Sequence, residues 1–378
     1  MQEKAHLTTG GAIKHRSSNL ELYRIVCMML IVAHHCVVNS GLISSDPLTL
    51  QPCGPLVDNP FSINTLLLWT IGMWGKTGIN CFLMITGYFM CNSSISMKKF
   101  IKLMFWIYFY SIIIYVIFLI AGYETFSPLR LAILVFPVWG FDTNFTSCFI
   151  GFWLTIPFWN ILIHNMTKRQ HEILLCLLLG MYTILGSIPK FNVAMNYVTW
   201  FGVIYLLASY IRLYPHPIML HKKLWSIVTI ISILLAICSM IVMSYIFGSK
   251  APCFFVSDSN KIFAVLVAVA SFLWFKNIKI SYSKLINAIG ASTFGVLLIH
   301  ANSDAMRQWL WKDTIDCVGH YDLPPLLLIL YFLTSVVVIF FVCIIIDRIR
   351  ILLVERPFFK WYDRKPRFVR LVNLLNKQ

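Results

Sequence analysis

The chain is poor in charge and poorer still in acid. Of its 378 residues only 12% are charged, with 15 Asp and Glu against 31 Lys and Arg, whereas soluble domains carry about 25%. So little polar surface cannot cover a chain that is 59% hydrophobic, which excludes a water-soluble globular domain. The eleven cysteines form no CxxC pair and fall mostly inside apolar runs, where cysteine acts as a small hydrophobe. Neither a disulfide framework nor a zinc site is read from them. HExxH, GxxxxGK[ST] and clustered carboxylates within the apolar runs are all missing, and no metal or phosphate-loop site is expected. No internal repeat of the transporter kind is visible. The polar segment before Leu20 has no short apolar core ending in a small-residue cleavage site, so no cleaved signal peptide is expected.

What is present is a series of apolar segments near 20–40, 64–90, 101–121, 148–165, 172–189, 197–211, 224–247, 261–275, 286–303 and 325–347. A crossing needs about 20 apolar residues, and ten crossings follow if each segment spans once. The 64–90 segment is long, Gly-rich and interrupted by Lys76; one crossing and a broken helix are both open there. With the N-terminus in the cytoplasm, twenty-three of the 31 basic residues fall on inner segments and six on outer ones, as the positive-inside rule demands. The expected fold is all-α: a polytopic integral membrane helical bundle of about ten transmembrane helices, both termini cytoplasmic. It divides into an N-terminal segment, 1–19, a membrane domain, 20–347, and a basic tail, 348–378. The net charge of +16 then belongs to loops and a tail that meet anionic headgroups, and nucleic acid is not an expected partner.

The first span contains Arg24, His34 and His35, groups that are costly in a bilayer and normally face a polar cavity or a partner. Eleven residues separate Arg24 from His35, so they share one helix face about 16 Å apart, with His34 about 80° away. Arg24 also follows Glu21 by three residues, and a plain ion pair at the interface is the alternative. His300 and Asp304 lie four apart and would be neighbours if the helix continued so far; a simple helix end at the headgroups is the alternative. Gly75, Gly78 and Gly87 permit close helix packing, and Trp139, Trp153 and Trp159 suit interfacial or packing roles.

The acid three residues before Arg24, followed by the ten residues between Arg24 and His35, resembles the signature of the membrane acyltransferase 3 family. The block Gly75–Met90 (GKTGINCFLMITGYFM) is similar to that family's Gly-rich entry into a Phe-rich run ending in Ser-Gly-Tyr or Ser-Gly-Phe, with Gly78 in the entry and Thr86, Gly87 and Tyr88 at its end. Phe152–Leu162, which contains Trp153, is similar to a mid-chain span, and Ser292–His300 to a late segment ending in histidine. The chain departs from the pattern in Glu21 for Asp, Thr86 for Ser, and the lysines Lys98, Lys99 and Lys102 for arginines; a lysine binds phosphate as a point charge, without a planar fork.

The resemblance implies transfer of an acyl group, commonly acetyl, from cytoplasmic acyl-CoA to a hydroxyl of a sugar, polysaccharide or lipid-linked glycan. It further implies a multi-pass protein of a bacterial-type plasma membrane, with acyl-CoA as co-substrate and no metal. A hydroxyl needs a positioned base during attack; His35 is the first candidate, with His34 and His300 behind it. Arg24, with Lys98, Lys99 and Lys102, would hold donor phosphates. Cys36 points about 100° from His35, so direct transfer is favoured over an acyl-cysteine. The rival class is a permease for a small anionic or zwitterionic solute, lined by Arg24, His35 and His300.

Overall fold

The computed structural model describes residues 17–45, 49, 51–137, 144–191 and 193–364. Most of the N-terminal segment and the end of the basic tail lie outside these residues, as does Trp139. Fifteen α-helices are described, with one two-stranded antiparallel hairpin, Ser44–Ser45 with Pro52–Cys53. They are α1 (Ser18–Val38), α2 (Pro55–Asp58), α3 (Ile63–Gly72), α4 (Gly75–Met90), α5 (Met97–Ile120), α6 (Pro128–Val135), α7 (Phe145–Asn165), α8 (Lys168–Leu179), α9 (Tyr197–Leu213), α10 (Lys222–Phe247), α11 (Ile262–Lys276), α12 (Lys284–His300), α13 (Asp304–Arg307), α14 (Pro325–Arg350) and α15 (Arg356–Asp363). Most start where the sequence supplies a side-chain acceptor for an orphan amide. Ser62 caps α3, Ser96 caps α5, Asn144 caps α7, Asn196 caps α9 and Ser283 caps α12.

All ten expected segments are helical, and among the described residues six helices are long and apolar enough to cross a membrane by length and composition. A seventh arises if α12 and the helical stretch Asp304–Thr314 form one span bent by 95°. The helices α9 and α11 are shorter, at 17 and 15 residues, and sit inside the bundle: Trp200, Phe201, Ile204, Ala268 and Phe272 are fully buried. The outer helices reverse the soluble pattern by exposing Ile113, Val116 and Ile117 of α5 and Ile230, Ile231 and Leu234 of α10, because lipid, not water, covers them.

The segment left open by the sequence is two helices, α3 and α4, broken at Met73–Trp74. The break and its glycines bring α4 against α1. A Cβ on Gly75 would lie 2.2 Å from the His34 ring, and one on Gly78 would meet Ile31 at 2.7 Å. Gly87 faces the other way, onto Ala208 of α9. Helix α1 is therefore central, packed against α3, α4, α12 and α14.

Candidate functional site

The late helix α12 ends at His300, three residues short of the span expected for it, because Ser303 accepts from the Met306 amide and starts α13. His300 is consequently not paired with Asp304. Asp304 turns to the surface, 87% exposed, and meets Arg307 at 2.8 Å. His300 instead lies fully buried against α1, where its Nε2 is 2.9 Å from Nδ1 of His35. Its own Nδ1 is 2.6 Å from the Val296 carbonyl one turn earlier.

That chain of contacts fixes every proton when both rings are neutral. A carbonyl only accepts, so Nδ1 of His300 donates and its Nε2 carries a lone pair. Nδ1 of His35 must then donate to it, which leaves Nε2 of His35 as a bare lone pair. His34 is held in the same sense, since its Nδ1 donates to the Gly72 carbonyl at 2.6 Å. The break between α3 and α4 thus orients one histidine, while the end of α12 orients the other.

Both His34 and His35 line a cavity of about 640 Å³, within the usual size range for small-molecule sites. Its lining includes Met28, Ile31, Phe82, Leu83 and Thr86, together with Glu124, Arg130, Asn144, Asn302, Asp304 and Arg307. Thr86 is on the wall, its hydroxyl donating to the Phe82 carbonyl at 2.9 Å. Arg24 lies one turn of α1 beyond Met28, about 6 Å along the axis, and pairs with Glu21 at 3.3 Å.

The other expected site residues are spread more widely. Lys98 meets Asp363 of α15 at 2.7 Å, Lys99 donates to the Ser94 carbonyl at 3.0 Å, and Lys102 meets Glu355 at 2.6 Å. Tyr88 receives a hydrogen bond from Arg212 at 2.9 Å, with Phe272 edge-on beside it, away from the cavity. Trp153 is buried and stacks on Phe100 at 5.3 Å. Cys36 is fully buried and faces Cys317, sulfur to sulfur 3.7 Å.

The family model for an acyltransferase domain matches residues 17–348. The chain belongs to the acyltransferase 3 family. The comparison with curated proteins gives no match, and neither does the comparison with solved structures. Membership makes the protein a membrane acyltransferase, and residues 17–348 take in both halves of the histidine pair, which lie 265 residues apart.

Two groups of residues escaped the sequence reading. Lys76, noticed only as an interruption, is a cavity-wall residue that donates to the Tyr197 hydroxyl, with Asp258 at 3.7 Å. Arg350, counted with the inner loop charges, is 2% exposed. It binds Asp347 at 2.9 Å and Glu355 at 2.7 Å, and Tyr110 donates to Asp347 at 2.7 Å. The only advance signal was the Asp347-x-x-Arg350 spacing at the end of the last apolar run.

Proposed function

We propose that the protein transfers an acyl group, acetyl first among the choices, from cytoplasmic acyl-CoA to a hydroxyl of a sugar, polysaccharide or lipid-linked glycan at a bacterial-type plasma membrane, with His35 as the base. The observation that carries the reading is the bare Nε2 of His35, oriented by His300 and facing a cavity. In the reaction Nε2 of His35 takes the proton of the acceptor hydroxyl as that oxygen attacks the thioester carbonyl. The tetrahedral intermediate collapses, the carbon–sulfur bond breaks, and the proton on His35 is given to the departing CoA sulfur. The positive charge on His35 during this cycle is shared across the Nδ1–H bond to His300, whose Nδ1–H is already anchored on Val296.

Arg24 suits the phosphates of the donor. Its guanidinium lies on the face of α1 that continues through Met28 and Ile31 to His35, and the cavity reaches Met28, so an extended thioester arm would link the two. In the membrane both termini are cytoplasmic, with the broken α3–α4 pair and the short α9 and α11 completing ten crossings. Lys98, Lys99 and Lys102 would mark the inner face, where Lys98 and Lys102 already have carboxylate partners.

The test is turnover of radiolabelled acetyl-CoA by the protein in liposomes supplied with mixed bacterial-type glycans. Label should leave CoA and appear on glycan, and His35→Ala should abolish this in a folded preparation. If acetyl-CoA is neither bound nor consumed by folded wild-type protein, the donor assignment fails, and solute uptake by the same liposomes then tests the permease alternative.

A further inference from the structure

The cavity lining holds three cations against two carboxylates, Glu124 and Asp304, more charge than recognition of a neutral sugar requires. The cations are Lys76 from α4, Arg130 from α6 and Arg307 from α13. They differ in how their charge is met. Arg130 is countered by Glu124 at 3.1 Å, and the Glu124 side chain is only 17% exposed, so that pair is internal to the wall and nearly cancels itself. Lys76 has its carboxylate, Asp258, at 3.7 Å, beyond hydrogen-bond reach, and spends one donor on the Tyr197 hydroxyl. An ammonium has three donors. Arg307 meets Asp304 through Nη1 alone, and that carboxylate is 87% exposed; an exposed pair of this kind is worth about 0–1 kcal/mol and yields readily to a competing anion.

Neutral hydroxyls are well served by amides and hydroxyls, and Asn144, Asn302, Ser111 and Tyr115 already provide these on the same wall. Two weakly countered cations, with side chains 30% and 44% exposed, therefore stand on the cavity wall beside the two histidines, where a competing anion can reach them. We infer that the acceptor is itself anionic, bearing a carboxylate or phosphate near the hydroxyl that is acylated, and that Lys76 and Arg307 hold this group from two walls of the cavity. The inference rests on the acyl-transfer reading above for the meaning of "acceptor", but the binding it calls for is independent of turnover. Arg307 supplies the planar fork and Lys76 the point charge.

The experiment compares matched probes on the purified, donor-free protein at low and physiological salt. One pair is a tetrameric oligouronate and its carboxyl-reduced counterpart; the other is a phosphate-bearing oligosaccharide and its dephosphorylated form. The wild type should bind the charged member of one pair at least about tenfold tighter, one decade of affinity, and the pair that shows it separates carboxylate from phosphate. Lys76→Met and Arg307→Gln should each erase most of that preference, Lys76→Arg should keep much of it, and thermal unfolding should confirm that the variants are folded. Equal binding of charged and neutral probes by the wild type overturns the inference, as does a preference that survives both neutral variants. Loss of acetyl-CoA binding in those variants, with the glycan pairs indistinguishable, also overturns it by assigning the two cations to the donor. Charge-selective binding without any acyl transfer would leave this inference standing and refute only the enzymatic reading.

Discussion

Two of the polar clusters buried in this bundle solve the same problem in opposite ways. The His35–His300 pair meets the cavity through His35 and is built from neutral rings, each proton assigned by a carbonyl or a neighbouring ring. The Arg350 cluster is sealed, with Arg350 and Asp347 at 2% and 1% exposure, and is built from charges that compensate one another. Around it Tyr110 donates to Asp347, Trp106 to Glu355, and Lys102 closes the ring on Glu355. A group that must accept and return a proton cannot be locked in an ion pair, whereas a group that only ties helices together benefits from full compensation. The first arrangement is therefore expected to fail in chemistry when cut, and the second in stability.

The largest effect should come from His35. Its replacement by Gln removes the base while keeping a side chain able to donate to Nε2 of His300. Turnover should drop by about 10²–10⁴, the usual worth of a positioned base, with little change in thermal unfolding. His300→Ala should cost less, because His35 keeps a basic ring nitrogen and loses only the partner that fixes its tautomer.

Cutting the sealed cluster should reverse that profile. Asp347→Ala leaves buried Arg350 without one of its two carboxylates, a change of the kind that costs about 3–5 kcal/mol and is read as a large drop in unfolding temperature, with activity per folded molecule much less affected. Asp347→Ala combined with Arg350→Met should recover part of the loss, since an apolar replacement of the whole pair is often tolerated. Full activity loss at normal stability would place the cluster in the chemistry and end the contrast.

Gly75 joins the two behaviours. A methyl group there collides with the His34 ring, so Gly75→Ala must push α4 from α1 or rotate His34 off the Gly72 carbonyl. A destabilisation of about 1–3 kcal/mol is expected from such overpacking, together with a fall in turnover, because the displaced ring shares the cavity wall with His35. Gly87→Ala, packed on Ala208 far from the histidines, should show the first effect without the second.

These contrasts also explain what the sequence could reveal. The α1 face of Arg24 and His35 was legible because helical periodicity is local, and the ten helical segments because lipid demands long apolar runs. The partner of His300 was not legible. Spacing pointed to Asp304, but Ser303 caps a new helix and ends the old one, and the ring that replaces Asp304 comes from 265 residues away. Lys76 and Arg350 were seen only as charges, since nothing in a single sequence tells a wall residue from a loop residue when its partners, Asp258 and Glu355, lie in other segments.

The smallest expected effect concerns the inner-face lysines. Lys98 is about half exposed and meets an equally exposed Asp363 on α15, so the pair should contribute less than about 1 kcal/mol to stability. Lys98→Ala and Asp363→Asn should be alike in unfolding temperature. They diverge in kinetics if Lys98 also holds a donor phosphate. Lys98→Ala would then raise KM for acetyl-CoA, whereas Asp363→Asn, by releasing the ammonium from its carboxylate, would lower it. Equal KM values in both variants would confine Lys98 to fastening α15 against α5 and leave donor phosphates to Arg24, one helical turn from the Met28 that lines the cavity.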